Sequence, residues 1–557
     1  MNFLLKAVAY VLRHEAYLFF ALLAFFLPLA WVFSNTSRWA RGPGILGAWA
    51  RALAVVLLAG FCWMTFQYLV TPVFFEHVEP QVPEVSWYYL QGHPLYSSLD
   101  SAQVYNLPYG PALYLLVGWS NELFGPALLA GKLPGVLANV ATLVVLYFVF
   151  KKQSSVRTAL LAVGLSAAFF LRADANPITG RSDSLLCLLA ALGLWLASGR
   201  RWYAPFIVGA LIGVAVNFKI HAALYFIPVA AVAWQSGYTI KQGLAAVGCA
   251  LAVFFAPFVL LPNISLTNYL GFIRAIVHHG FSPIKFQQLM WCLAVVSMPL
   301  VAGWLVQYRE TRAMAVLRAN AVLIAGFLGA FVLLLVPASK YGAGPHHLMP
   351  WLVAVPYLGI QLYNSGLGQV WNPSGGTRWA RAFLIAWTFA CLTSSSLALI
   401  KTHSLLKEHS ADGARVVADV QQVLKEQGKE CIVLMGVGGP DDYWLTSYRC
   451  LLAFDGQPVG IDWTALMDHK RADLPEPEIA QLLQQFKTGS TAPKGVLWLI
   501  PKNSAPFSIK TFYPPYDALF SPRFLDDFNR LFKHTGSSEF FDLYSSADGL
   551  PLSAAVK

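Results

Sequence analysis

Apolar and polar positions along this 557-residue chain fall into two regimes. Up to about residue 400, long apolar runs are separated by short polar breaks; beyond it, short apolar segments alternate with polar stretches of helical period. The first regime predicts membrane-spanning helices over residues 17–33, 50–71, 130–150, 156–172, 184–198, 203–218, 222–236, 241–261, 286–306, 318–337, 346–363 and 382–400. If residues 1–33 instead lie along the membrane, one span drops out. The second regime predicts helices over 412–427, 476–487 and 522–534, and strands over 431–435, 496–500 and 539–544. Alternating strands and helices imply a small, largely parallel sheet. The expected architecture is an α-helical polytopic membrane protein of about 11 to 13 transmembrane helices (residues 1–400) followed by a soluble α/β domain (401–557).

One polar break, 72–129, is far longer than the others. Within it, 84–91 and 108–124 are apolar but too short or too interrupted to span, which predicts two interfacial helices. It carries Glu76, Glu79, Glu84, Asp100 and Glu122, with no Lys or Arg between Glu76 and Leu123.

Composition sharpens this picture. With 57% hydrophobic and only 12% charged residues, the chain has too little charge to cover a soluble protein of its length. The net charge of +11 is concentrated in alternate loops: Arg38/Arg41, Lys151/Lys152/Arg157, Arg200/Arg201, Lys241, Arg309/Arg312/Arg318 and Arg378/Arg381. The positive-inside rule makes those loops cytoplasmic, so the charge points to membrane topology and not to nucleic acid. Loops 72–129, 172–183, 219–221, 262–285 and 338–347, and everything after residue 400, are then expected outside. The first apolar run lacks the small-residue pattern of a cleavable signal peptide. Of seven cysteines, five lie in apolar runs; Cys431 and Cys450 lie in the soluble part and can bridge if it faces an oxidising compartment.

Polar residues gather in these outward loops, and polar groups held at membrane boundaries are usually functional. Beside the glutamates stand Gly180-Arg181-Ser182-Asp183, Asn217-Phe218-Lys219-Ile220-His221, and the run from Ser339 to Pro350 with Lys340, Tyr341, His346 and His347. Ser182 or Asp183 also suits the N-terminus of the following helix. An acidic residue after an outward-going span, then Leu90-Gln91-Gly92-His93-Pro94-Leu95-Tyr96, then Pro108-Tyr109-Gly110-Pro111-Ala112-Leu113-Tyr114, then a span ending in Lys151-Lys152, resembles the polytopic glycosyltransferases of the GT-C class. That class includes the protein O-mannosyltransferases and the aminoarabinose transferases of lipid A.

The resemblance implies an enzyme moving a sugar from a polyprenyl-phosphate donor to a glycan, lipid or protein acceptor at the outer face of a bacterial inner membrane. It implies that an acidic residue of the first outward loop is the base or its neighbour. Glu79 matches the position best, yet Val78 stands where the family often has Asp, which leaves Glu76, Glu79 and Glu84 as alternatives. Asp183 supports that carboxylate or holds the acceptor. Lys219, Lys340, Arg181, Arg274 and His221 are candidates for the donor phosphate, a role suited to point charges and guanidinium forks. Tyr341, His346, His347, Tyr96 and Tyr109 are candidates for acceptor or substrate contact. His346-His347 with His278-His279 offer an alternative divalent-metal site, though adjacent histidines do not readily ligate one ion. The Gly436–Gly439 turn lacks the Gly-Lys-Ser/Thr of a phosphate loop and reads as an ordinary turn. Rival readings are a flippase for a lipid-linked glycan, which would place charges at mid-membrane, and a non-catalytic envelope scaffold.

Overall fold

The expected spans become a bundle of apolar helices. The computed structural model describes residues 15–35, 42–173, 178, 180–307, 312–367, 375–487 and 495–546. Arg38, Arg41 and Arg309 of the basic loops lie outside the described residues. Among those described, seven helices are long and apolar enough to cross a membrane: Ile45–Val70, Leu128–Gln153, Val156–Ala173, Ile240–Leu260, Pro283–Ala302, Ala321–Ala338 and part of Arg381–Gln427. Shorter apolar helices, Tyr17–Val32, Ser182–Ala197, Ala204–Val216 and Ile220–Gln235, stand at other expected spans. The chain is a multi-pass membrane protein.

Two expected spans differ in form. The run 346–363 is broken into Pro345–Leu348, Met349–Leu352 and Val355–Leu362. A proline sits at the first or second position of each piece, where its missing N–H is tolerated and its ring prevents the preceding turn from running on. Conversely, the span at 382–400 and the helix at 412–427 are one helix, Gly375–Gln427. No proline interrupts it, and the change from apolar to polar side chains alters its surroundings but not its backbone.

The two helices expected in the long loop are present as Gln81–Leu90 and Pro111–Phe124. The C-terminal sheet has four strands: β1 (Ile432–Met435), β2 (Val496–Pro501), β3 (Phe532–Ser537) and β4 (Phe541–Ser546), in the order β1-β2-β4-β3. Only β1 and β2 pair in parallel; β4 runs antiparallel to both β2 and β3. This corrects the expectation of a largely parallel sheet. The helix expected over 522–534 ends at Leu531, and Phe532–Ser537 continues as a strand. The short connection to β4 can join only antiparallel neighbours.

Strand β2 is buried along its whole length and its alternate residues enter two cores. Trp498 and Ile500 pack with Phe507, Phe524 and Phe528, while Leu497 and Leu499 pack with Val416, Val420 and Val423 of the long helix. Burial on both faces explains its unbroken apolar sequence. The membrane helix therefore forms one wall of the C-terminal domain and fixes it over the bundle. Cys431 and Cys450, whose pairing the sequence left open, are both free thiols.

Candidate active site

The loop leaving the helix Gly42–Val70 is shaped by buried polar groups. Lys132, on the helix Leu128–Gln153, donates to the carbonyls of Tyr68 (3.1 Å), Thr71 (2.7 Å) and Val73 (2.6 Å). Glu79 closes the same turn from the other side. One of its oxygens accepts from the Tyr68 hydroxyl (2.6 Å) and the Gly180 amide (2.8 Å); the other accepts from the amides of Phe75 (3.1 Å) and Glu76 (3.2 Å). Burial pushes the Glu79 carboxyl above its ordinary value. Gly180 must come close for this bond: a side-chain carbon on Gly135 would stand 2.5 Å from the Gly180 Cα. Only a bare glycine on that helix lets the Gly180–Arg181 segment settle here.

These contacts present Glu76 to a cavity of about 1250 Å³ lined by the long loop, other inter-helix loops and the C-terminal segment. Glu76 lines the cavity, while neither Glu79 nor Glu84 does. The Glu76 side chain is 26% exposed; Glu79 is only 5% exposed and has its donors already in place. Arg181 reaches Glu76 at 2.6 Å and lies 3.6 Å from Asp183 through Nε. Lys219 meets Asp183 at 2.7 Å and stands 5.8 Å from the centre of the Tyr109 ring. Arg181, Lys219 and Tyr109 line the cavity, with Asp183 behind Lys219. Lys219 is placed by the end of the helix Ala204–Val216, against which the loop bearing Tyr109 docks: the Gly110 amide bonds the Phe218 carbonyl at 3.2 Å. A side-chain carbon at Gly110 would stand 2.4 Å from the Asn217 carbonyl oxygen. Burial and two nearby acids act on Tyr109, whose phenol is pushed up to about 12, with Arg181 pulling the other way.

His221, Lys340, Tyr341, His346 and His347 also line the cavity. His221 and His347 lie 3.1 Å apart, nitrogen to nitrogen, and Lys340 donates to the Val277 carbonyl at 3.3 Å. The two histidine pairs do not assemble into a metal site. His279 is held by Asp468 at 2.7 Å, and no group of three or more His, Cys, Asp or Glu is positioned for a metal among the described residues.

Three sequence-predicted residues stand elsewhere. Glu84 pairs with Arg449 of the C-terminal domain at 2.8 Å, and Arg449 also holds Asp462 at 2.5 Å. Tyr96 is buried and donates to the Tyr109 carbonyl at 2.8 Å, so it supports that loop from behind. Arg274 is exposed and its side chain is not part of the lining, although Ile273 and Ile276 on the same helix are. Sequence reading missed Lys132, which lies within an apolar span, and Lys285, which lines the cavity from the start of the helix Pro283–Gln307. The signal for Lys285 was present: a lone lysine just inside an outward end of a span.

An apolar flank completes the cavity: Phe20, Phe169, Ile276, Trp291, Val295 and Val296 come from helices of the bundle. A cationic, acid-bearing floor next to an apolar wall suits an amphiphile with an anionic head. Residues 108–263, which include Tyr109, Arg181, Asp183 and Lys219, match the family described as dolichyl-phosphate-mannose-protein mannosyltransferase. The structure resembles that of ArnT from Cupriavidus metallidurans bound to undecaprenyl phosphate (TM-score 0.53, 12% identity over 89% of this chain and 98% of that one). The fold is that of a GT-C glycosyltransferase. The apo form of the same ArnT is similar (TM-score 0.51, 11% identity, covering 90% of this chain and 98% of that one). No curated protein matches the chain by sequence. The family match covers residues 108–263, and the shared fold extends over most of the chain.

Proposed function

We propose that this GT-C protein transfers a sugar from a polyprenyl-phosphate donor to a hydroxyl acceptor, with Glu76 as general base. One observation carries the choice of base: of the three candidate glutamates Glu76, Glu79 and Glu84, only Glu76 borders the cavity. The acceptor hydroxyl gives its proton to Glu76 as its oxygen bonds the anomeric carbon. The bond from that carbon to the phosphate oxygen breaks, and the electron pair leaves with the polyprenyl phosphate. A single displacement inverts the anomeric centre. Arg181 and Lys219 lie where charge builds on the leaving phosphate, and such preorganised cations contribute most when the charge is greatest. Lys285 and Lys340 extend this cationic surface, with His221, His346 and His347 beside them in the lining. Asp183 keeps Lys219 charged and aimed. The apolar flank receives the start of the prenyl chain.

The family match and the fold of an undecaprenyl-phosphate-bound enzyme support this reading. By charge bias the cavity and the C-terminal domain face away from the cytoplasm, in a bacterial inner membrane. Purified protein given a radiolabelled polyprenyl-phosphate sugar and cell-envelope extract is expected to move label to the extract. No transfer from any member of a panel of hexose, pentose and uronic-acid donors would sink the proposal.

A further inference from the structure

Part of the cavity lining is aromatic. Tyr443, Phe512, Tyr513 and Tyr516 of the C-terminal domain belong to it, joined by His77 and Tyr341 from the membrane-domain loops. The rings form two groups: His77 meets Trp463 at 5.2 Å and Phe512 at 6.1 Å, and Phe512 meets Tyr443 at 5.5 Å, while Tyr513 meets Tyr341 at 6.0 Å. The Arg471 guanidinium stands 4.8 Å from the Tyr513 ring and 5.2 Å from that of Tyr341, tying these two together. Tyr516 is 57% exposed yet borders the cavity. Its φ is +63°, an uncommon and costly conformation for a tyrosine. A turn that holds a bulky ring in a strained conformation at a cavity mouth is a reason to look for what the ring contacts.

This wall is adjacent to the proposed base, because His77 follows Glu76 directly in the chain. Planar amides share the lining, with Gln287 and Gln288 exposed on the first turns of the helix Pro283–Gln307. Aromatic faces beside amide donors and acceptors match a sugar ring, which has apolar C–H faces and a polar edge of hydroxyls. One common way of holding a peptide acceptor is through its main chain along a strand edge. No residue of β1–β4 lines the cavity. We infer that the aromatic wall from Tyr443 to Tyr516 is an acceptor subsite for a saccharide, and that the acceptor hydroxyl belongs to a glycan or glycolipid and not to a protein side chain. The inference rests on the proposed glycosyltransfer at Glu76 and supplies its acceptor class.

The test uses detergent-solubilised full-length protein on immobilised bacterial-type oligosaccharides and, in parallel, on Ser- and Thr-containing peptides. Wild type is expected to be retained on a saccharide and not on peptides. Tyr516→Asn, which suits the positive φ, and Tyr513→Leu, which keeps apolar bulk, are each expected to weaken retention about tenfold. Glu76→Gln is expected to bind the saccharide as wild type does. Its transfer activity, measured separately, reports on the catalytic reading alone. Retention on peptides instead of saccharides, retention on neither, or saccharide binding indifferent to both ring variants would overturn the inference.

Discussion

The Arg181 guanidinium meets the Glu76 carboxylate at 2.6 Å, joining the first long loop to the segment that opens the helix Ser182–Ala197. Around this pair the polar groups divide into two sets. Glu76, Arg181 and Lys219 border the cavity, whereas Glu79, Asp183 and Lys132 are buried and hold the first set in place. Replacing a member of each set should therefore have different consequences.

Glu76→Gln is expected to lower turnover about 100-fold or more with donor binding and melting temperature nearly unchanged. Glu79→Gln is expected to lower melting temperature as well, because four donors converge on its carboxylate. Labelled-sugar transfer and thermal melting on the same preparations separate the two. Full turnover in Glu76→Gln would remove it as the base.

Lys132→Met removes the donor to three carbonyls in the turn that leads to Glu76. The expected loss of stability is about 3 kcal/mol, and turnover should fall more than KM rises, since the turn aims the base without touching donor. A double variant with Glu79→Gln should cost less than the two single losses added, because both groups act on one turn. Strict additivity would show that they do not.

Lys219→Met leaves buried Asp183 with only the more distant Arg181, at a cost of up to about 3–5 kcal/mol. Adding Asp183→Asn should restore much of that stability but not the binding of polyprenyl phosphate. Normal binding of polyprenyl phosphate by the double variant would exclude Lys219 from the phosphate site.

Burial pushes the Glu84 carboxyl from its ordinary 4.5 up to about 7, against the attraction of Arg449. Between those values the folded protein holds a proton that the unfolded chain has released. The contribution to stability is thus fully present below about pH 4.5 and is lost as pH rises through about 7. Melting temperature should fall between pH 5 and pH 8, and Glu84→Gln should flatten that part of the curve. An unchanged slope in the variant would assign the effect to another group.

Much of this protein is determined by its sequence alone, because a bilayer imposes length and polarity on each span. The helical membrane region, the two helices of the first long loop and the composition change after residue 400 all follow from local pattern. The position of Glu76, Arg181, Asp183, Lys219 and the 340–347 segment at polar breaks between apolar runs was legible for the same reason, since charge in such a chain concentrates at span ends. Pattern cannot say which of several neighbouring carboxylates faces a space. Glu76, Glu79 and Glu84 lie within nine positions of one another, and only the tertiary structure directs one to the cavity, one to four donors and one to Arg449. Lys132 was hidden because its carbonyl partners belong to the end of another helix and the turn that follows it. The antiparallel course of β4 and the aromatic wall were hidden likewise, since both depend on contacts between segments far apart in sequence. What each segment can form is written locally; which groups meet is set by packing.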